Sequence, residues 1–314
     1  MPDIYCPQCK QTLDGTYVCG ACGIVYEHRD GILRLTDAPN IAEGADGLEY
    51  IGFDTIAADY DDTRYGNPLL LDRLTEVLRE MMPPKPLILD LGAGTGIFSV
   101  RFAKFAETVY ACDISEGMLK LLIAKAESEK IKNIVPIRGN ALDLPFPDNM
   151  FDIVTAFHVL HLIKDAEKAA SEIWRVLKPG GSFLTQTPEF HDAGKSPSSV
   201  MDSLYNKLAD ERKIGLVKSP GWGRDDFLPG LEKVFGNYRA IDDSRLHFDE
   251  PDLIARSWRQ IGDATRSSQI RIDRNAHDAI MREIEAEMKK QFGEDFLTKK
   301  FEHRLSLRVI QSKK

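Results

Sequence analysis

Between Leu87 and Thr187 the chain switches repeatedly from short apolar runs to longer stretches with helical spacing. Leu87–Leu91, Thr108–Cys112, Ile134–Arg138, Phe151–Phe157 and Ser182–Thr187 read as strands, with helices over Ile97–Phe105, Glu116–Glu129 and Ala166–Leu177 between them. Strands that alternate with helices predict a parallel sheet covered on both faces. The expected fold is therefore α/β: a doubly wound, mostly parallel, seven-stranded sheet. A helix over Leu69–Met82 precedes it and stops at Pro83-Pro84. After Thr187 the rhythm breaks. A helix near Val200–Arg212, a strand at Asn237–Ala240, a charged helical stretch over 251–296 and a closing strand at Phe301–Ile310 follow. The insertions at 188–235 and 251–296 are expected to form a helical substrate cap on a domain spanning 65–314.

Four of the five cysteines lie in the first 22 residues: Cys6, Cys9, Cys19 and Cys22. Two C-x-x-C knuckles suit a tetrahedral zinc site with four thiolate ligands, which leaves no position for water or substrate. The intervening Lys10–Val18, centred on Asp14-Gly15, reads as a hairpin. Residues 1–37 are therefore expected to form a zinc ribbon. A piece this short has too little core to fold alone, so a structural Zn2+ would supply the missing stability. Residues 38–64 read as an acidic linker ending in a short entry helix. Cys6 to Cys9, Leu13, Cys19 to Gly23, Tyr26 and Asp30-Gly31-Ile32 also resemble the small zinc-ribbon activator proteins of tRNA and translation-factor methyltransferases. Cys112, in a buried strand, reads as a small core hydrophobe.

The most informative segment is Leu89-Asp90-Leu91-Gly92-Ala93-Gly94-Thr95-Gly96, between a strand and a helix. Glycines there let the backbone turn sharply and approach a ligand closely. The G-x-G-x-G spacing differs from the G-x-G-x-x-G of dinucleotide sites, which argues against a nicotinamide-dependent oxidoreductase. Asp113 follows Gly96 by 17 residues and ends the second strand. A carboxylate there can accept hydrogen bonds from both hydroxyls of a ribose. The alternative is a helix N-cap, a role Ser115 fills equally well.

Gly139 to Phe146, Phe151-Asp152-Ile153-Val154 and Val176 to Gly181 follow in order. With the glycine loop they resemble class I S-adenosylmethionine-dependent methyltransferases, nearest the ubiquinone/menaquinone C-methyltransferase subgroup. The resemblance spans roughly 55–190. It implies S-adenosyl-L-methionine as cofactor. Asp90, Gly92, Gly94 and Gly96 would shape the pocket for its methionine end, Asp113 would hold the ribose, and Asn140 and Ala141 would contact the adenine edge. Tyr60 matches an aromatic placed over the cofactor, or is a packing tyrosine. Phe157 would line the pocket or end the strand.

Methyl transfer from a sulfonium needs alignment and exclusion of water more than acid–base chemistry. His158 follows the fourth strand, where open parallel sheets bind ligands. It is the candidate catalytic residue, as base or as orienter of the acceptor, against a hydrogen-bonded loop histidine. His161 reads as packing. Trp222 and Trp258 could meet a planar acceptor or simply pack.

With 43% hydrophobic and 29% charged residues the chain is an ordinary globular protein, neither disordered nor collagen-like. No apolar run reaches the length of a membrane span, and the first residues lack the pattern of a secretion signal, so a cytoplasmic location is the expectation. The net charge of −8 argues against gripping phosphates, although residues 251–314 hold 14 basic against 10 acidic side chains. A small-molecule methyl acceptor leads. RNA is the alternative, since a ribbon before such a domain also resembles rRNA guanine methyltransferases. A non-catalytic cofactor-binding or activator subunit is the third reading. The acceptor atom and the oligomeric state are not legible in the sequence.

Overall fold

The computed structural model describes residues 4–36, 53, 60–61, 68–163, 165–190, 197–214, 216, 227–236, 238–263 and 272–314. Its strands are β1 (Glu27–Arg29), β2 (Ile32–Arg34), β3 (Leu87–Leu91), β4 (Thr108–Asp113), β5 (Ile134–Arg138), β6 (Phe151–Thr155), β7 (Leu177–Phe190), β8 (Arg239–Leu253) and β9 (Lys300–Lys313). Its α-helices are α1 (Pro68–Glu80), α2 (Ser99–Phe102), α3 (Glu116–Ser128), α4 (Ala166–Val176), α5 (Pro197–Glu211), α6 (Phe227–Phe235), α7 (Ile254–Gly262) and α8 (Arg274–Phe292).

Side chains alternate across a strand, so each central strand feeds two cores. Ile88, Val109, Ile153 and Leu184 join α1 residues Leu71, Leu74 and Leu78 in one buried cluster. Their neighbours Leu89, Tyr110, Val154 and Phe183 join Ile173 of α4 and Phe235 of α6 in the other. Both faces are therefore buried, which explains the unbroken apolar runs.

The sheet order is β1-β2-β5-β4-β3-β6-β7-β9-β8. From β5 through β7 all pairings are parallel, while β9 runs antiparallel to both β7 and β8. These seven strands are the expected sheet. The other two come from the ribbon, whose β1–β2 hairpin extends the sheet because β2 pairs in parallel with β5 (Leu33 with Ile137, Arg34 with Arg138). The chain reverses direction of travel across the sheet at β3, which lies between β4 and β6. A crevice opens at the carboxyl ends of strands at such a switch point.

The closing strands are longer than the sequence predicts. β7 and β9 stay paired out to Phe190 and Leu305. β8 runs on through 251–253, read above as helix, with a bulge between Asp242 and His247. Beyond this arm, α5, α7 and α8 enclose a separate core of Met201, Tyr205, Ile254, Ile261, Ile280, Ile284 and Phe296. Within it, buried His277 Nδ1 lies 2.7 Å from the Tyr205 hydroxyl, and its Nε2 lies 2.9 Å from Gly262 O. Helix α6, absent from the sequence reading, packs instead on α4, with Phe235 edge-on to Trp174 at 5.0 Å. Of residues 38–64, only Phe53, Tyr60 and Asp61 are described, and Trp222 lies outside the described residues. Trp258 packs edge-on to Phe296, at 5.4 Å, inside the cap.

Candidate active site

A cavity of about 790 Å³, open to solvent, lies beyond the ends of β3, β4 and β6. The glycine loop forms its floor. Gly92, Gly94 and Gly96 all adopt left-handed φ (68°, 54° and 79°), which glycine accepts without strain. Close packing adds a second requirement at two of them. A Cβ on Gly92 would stand 2.5 Å from Val159 Cβ, and one on Gly96 would stand 2.6 Å from Leu122 Cγ. At Gly94 a Cβ would meet only a backbone oxygen at 4.0 Å, so this residue leaves room on the cavity side. Gly92 and Gly94 line the cavity; Gly96 instead meets α3.

The two acids of the motif sit in different environments. Asp90 is 2% exposed. Its carboxylate accepts hydrogen bonds from Ser99 Oγ at 2.5 Å and Thr155 Oγ1 at 2.9 Å. It thus braces the loop from beneath, away from the cavity lining. Burial raises its pKa to about 6, partly offset by those two hydroxyls. Asp113 lines the cavity. Ser115 caps α3, accepting from Met118 N–H at 3.2 Å, so Asp113 is released from that role. Its Oδ2 accepts from Gly94 N–H at 2.7 Å and its Oδ1 from Ser115 N–H at 2.8 Å. The loop and the acid therefore fix each other.

Ala141 lines the cavity beside Ile114 and Met118. Asn140 does not, since its Oδ1 accepts from Leu142 N–H at 2.8 Å and shapes the turn that presents Ala141. Gly139 is needed because a Cβ there would stand 2.8 Å from Cys112 Sγ. Cys112 is buried, as expected of a core hydrophobe, yet also borders the cavity, and burial pushes its thiol pKa up. Tyr60 lines the opposite side with Phe53, ring edge to face at 6.1 Å. Asp61, next to Tyr60, accepts from Thr95 Oγ1 and, at 2.6 Å, from Lys125 Nζ. This latch ties the entry segment to the glycine loop and α3.

Phe157 is buried, lines the cavity and packs on Phe98 at 4.2 Å. His158 follows with φ 56°, a strained conformation for a non-glycine residue, and lies exposed at the cavity wall. Its Nε2 lies 2.7 Å from Gln186 Nε2. Val159, Leu162 and Ile163 complete an apolar wall. His161 lies outside the lining. The apolar lining residues and the latch escape sequence reading because no local pattern links residues 53, 61, 95, 125 and 163.

In the ribbon, the Sγ atoms of Cys6, Cys9, Cys19 and Cys22 all lie within 4.8 Å of one another. Cys6 and Cys22 are 3.6 Å apart and Cys9 and Cys19 3.3 Å. Four thiolates around Zn2+ at about 2.3 Å stand about 3.8 Å apart, so this donor set fits the ion. The Tyr26 hydroxyl lies 3.0 Å from Cys6 Sγ, placed to donate to a thiolate. No helix among the described residues is long and apolar enough to cross a membrane.

Residues 89–185 match the methyltransferase domain family. An uncharacterized methyltransferase, YcgJ, of Bacillus subtilis is 34% identical over 50% of this chain, which spans 58% of that relative's length. A ubiquinone/menaquinone biosynthesis C-methyltransferase of a Marinomonas species is 29% identical over 64% of this chain and 77% of its own. A demethylmenaquinone methyltransferase of Lactiplantibacillus plantarum is 39% identical over 42% of this chain and 59% of its own. Several of these relatives are thus spanned over less than two thirds of their length. A crystal structure from Bacillus halodurans, described as a methyltransferase, superposes with a TM-score of 0.50 at 21% identity, over 76% of this chain and 97% of that one. That likeness is one of fold.

Proposed function

We propose that this chain, whose residues 89–185 match the methyltransferase domain family, is an S-adenosylmethionine-dependent methyltransferase acting on a small, largely apolar acceptor. The observation that carries the reading is the mutual fixing of Gly94 and Asp113 at the cavity floor. A carboxylate oxygen accepts more than one hydrogen bond, so Asp113 can take both ribose hydroxyls while still holding the loop. Ile114, Met118 and Ala141 offer an apolar slot for the base, and Gly92 and Gly94 a backbone surface for the amino-acid end.

When bound, S-adenosylmethionine supplies a methyl group activated by its sulfonium charge for in-line displacement. The residues of the chain align the acceptor and keep water out. Tyr60, Phe53 and Phe157, with Val159, Leu162 and Ile163, make the acceptor side apolar and aromatic. That lining suits a planar hydrophobic ring, in keeping with the quinone methyltransferases among the relatives. His158 is the polar group on that wall. Held by the Gln186 amide, 2.7 Å from its Nε2, His158 is assigned the orienting of an acceptor oxygen. We assign acceptor choice to that wall, since among the described residues none of α5, α7 or α8 lines the cavity, and a structural Zn2+ to the four ribbon cysteines. Elemental analysis is expected to give about one zinc per chain.

The test is incubation with methyl-labelled cofactor and, separately, a demethylated naphthoquinol, total RNA and cell protein. Label in the quinol supports the reading. Label confined to RNA or protein would replace the acceptor class, and label in none of the three, with no cofactor binding, would sink the enzymatic reading.

A further inference from the structure

We propose that the ribbon is part of the cofactor site: a metal held by Cys6, Cys9, Cys19 and Cys22 keeps residues 140–143 where they close the base side of the cavity. The proposal rests on the methyltransferase reading and extends it to the role of the metal.

The loop that presents Ala141 has two supports. Its far end is held by α4. There Glu172 accepts from Leu144 N–H at 2.7 Å, and Arg175 donates to Leu144 O and Phe146 O at 2.8 and 2.7 Å. Its near end, 140–143, folds on itself through Asp143 N–H to Asn140 O and Leu142 N–H to Asn140 Oδ1. Outside support for this end comes from the ribbon. Lys10, inside the first knuckle's loop, pairs with Asp143. Just past this end, Tyr5 N–H, beside Cys6, donates to Pro145 O at 2.9 Å. Ile4 and Leu13 are buried in the same cluster as Leu142 and Leu144. Burial dominates here, because the Lys10–Asp143 pair is about half exposed and contributes little.

A second tie reaches the ribose side. Arg34 of β2 donates twice to Glu116, at 3.0 and 2.7 Å, with Arg34 only 9% exposed. Glu116 opens α3, directly after Ser115, whose N–H holds Asp113. The ribbon thus touches the segments behind both Asp113 and Ala141, yet none of its described residues lines the cavity. Buried Cys6 and Cys19 anchor the ribbon's side of the core it shares with the sheet. Without the metal a piece of this size loses its fold, and with it the position of Tyr5, Lys10 and Leu13. The metal therefore governs cofactor affinity rather than the transfer step.

The experiment compares the full zinc-loaded chain with the same chain after chelation and buffer exchange. S-adenosylhomocysteine binding is read by calorimetry and amide exchange over 139–146 by mass spectrometry. Removal of zinc is expected to weaken S-adenosylhomocysteine at least tenfold and to release protection over 139–146, with β3 and β6 unchanged. Leu13→Asp, which leaves every cysteine in place, is expected to retain zinc and still weaken binding several-fold. Affinity within twofold in a metal-free chain whose ribbon amides exchange freely would overturn this inference alone. A zinc-loaded chain that binds no S-adenosylhomocysteine would overturn it together with the methyltransferase reading.

Discussion

Asp90 and Asp113 flank the same glycine loop, and what separates them is solvent. Asp113 faces the cavity with each oxygen already accepting one backbone N–H. Removing a charged acceptor of that kind costs about 1.5–3 kcal/mol, or roughly 10- to 100-fold in affinity. Asp113→Ala is therefore expected to weaken S-adenosylhomocysteine by more than tenfold in calorimetry while the thermal transition persists. Asp90 is buried, and its pKa rises to about 6. The native state thus favours its protonated form. Its stabilising contribution is full below the unfolded value near 3.8, falls as pH rises towards 6, and is gone above it. The whole change amounts to about 3 kcal/mol. Urea unfolding at pH 4 to 7 is expected to show stability of the native chain falling, relative to Asp90→Asn, across that interval; a constant difference would refute it. His158→Ala is expected to lower kcat with little change in cofactor affinity, and unaltered turnover would make the residue structural. Both acids are visible in the sequence as motif positions. Their division of labour is not, because it depends on Thr155, 65 residues from Asp90, and on Ser115 taking the cap.

Among the elements, those buried on both faces are the ones the sequence shows clearly. β3 and β5 match their apolar runs residue for residue, and β4 extends its run by Asp113. β8 is legible only at its start, read as Asn237–Ala240, because it is an edge strand: its Asp242-Asp243-Ser244-Arg245 stretch looks like a loop, and a bulge interrupts the register. α2 is shorter than its apolar pattern, since Ile97 and Phe98 still belong to the turn that brings Ser99 to Asp90. That turn depends on Gly96, read from the motif as a cofactor residue but packed in the structure against α3. An alanine there carries a left-handed φ, about 1–2 kcal/mol, and an overpacked Leu122, about 1–3 kcal/mol. Gly96→Ala is expected to lower stability by about 2–5 kcal/mol in urea titrations. In a Leu122→Ala background the same change is expected to cost less, because the clash is gone while the backbone strain remains. Equal costs in the two backgrounds would show that packing against α3 has no part in the requirement for glycine.

At the scale of the whole molecule, a ribbon docks on one edge of the sheet and a helical cap grows from the other, with the cavity between them. The sequence separates ribbon, sheet and cap by composition and rhythm. How they join is written in long-range pairs such as Leu33 with Ile137 and Phe190 with Leu305, which leave no local trace. The joins differ in kind. Ribbon residues Ile4, Leu13 and Leu33 enter the same cluster as the sheet, so ribbon and sheet share a core. The cap has its own core, and its connection to the rest runs along the β7–β9–β8 arm. Separate cores open as separate cooperative units. Ile280 is fully buried in the cap, and truncating such a side chain costs about 2–5 kcal/mol. Ile280→Ala is expected to lower amide protection in α5, α7 and α8 by a large factor and to leave β3, β4 and β6 unchanged. The same variant is expected to keep its affinity for S-adenosylhomocysteine, because among the described residues none of the cap lines the cavity. Protection falling equally in sheet and cap would show a single cooperative unit and would overturn the separation of the two cores.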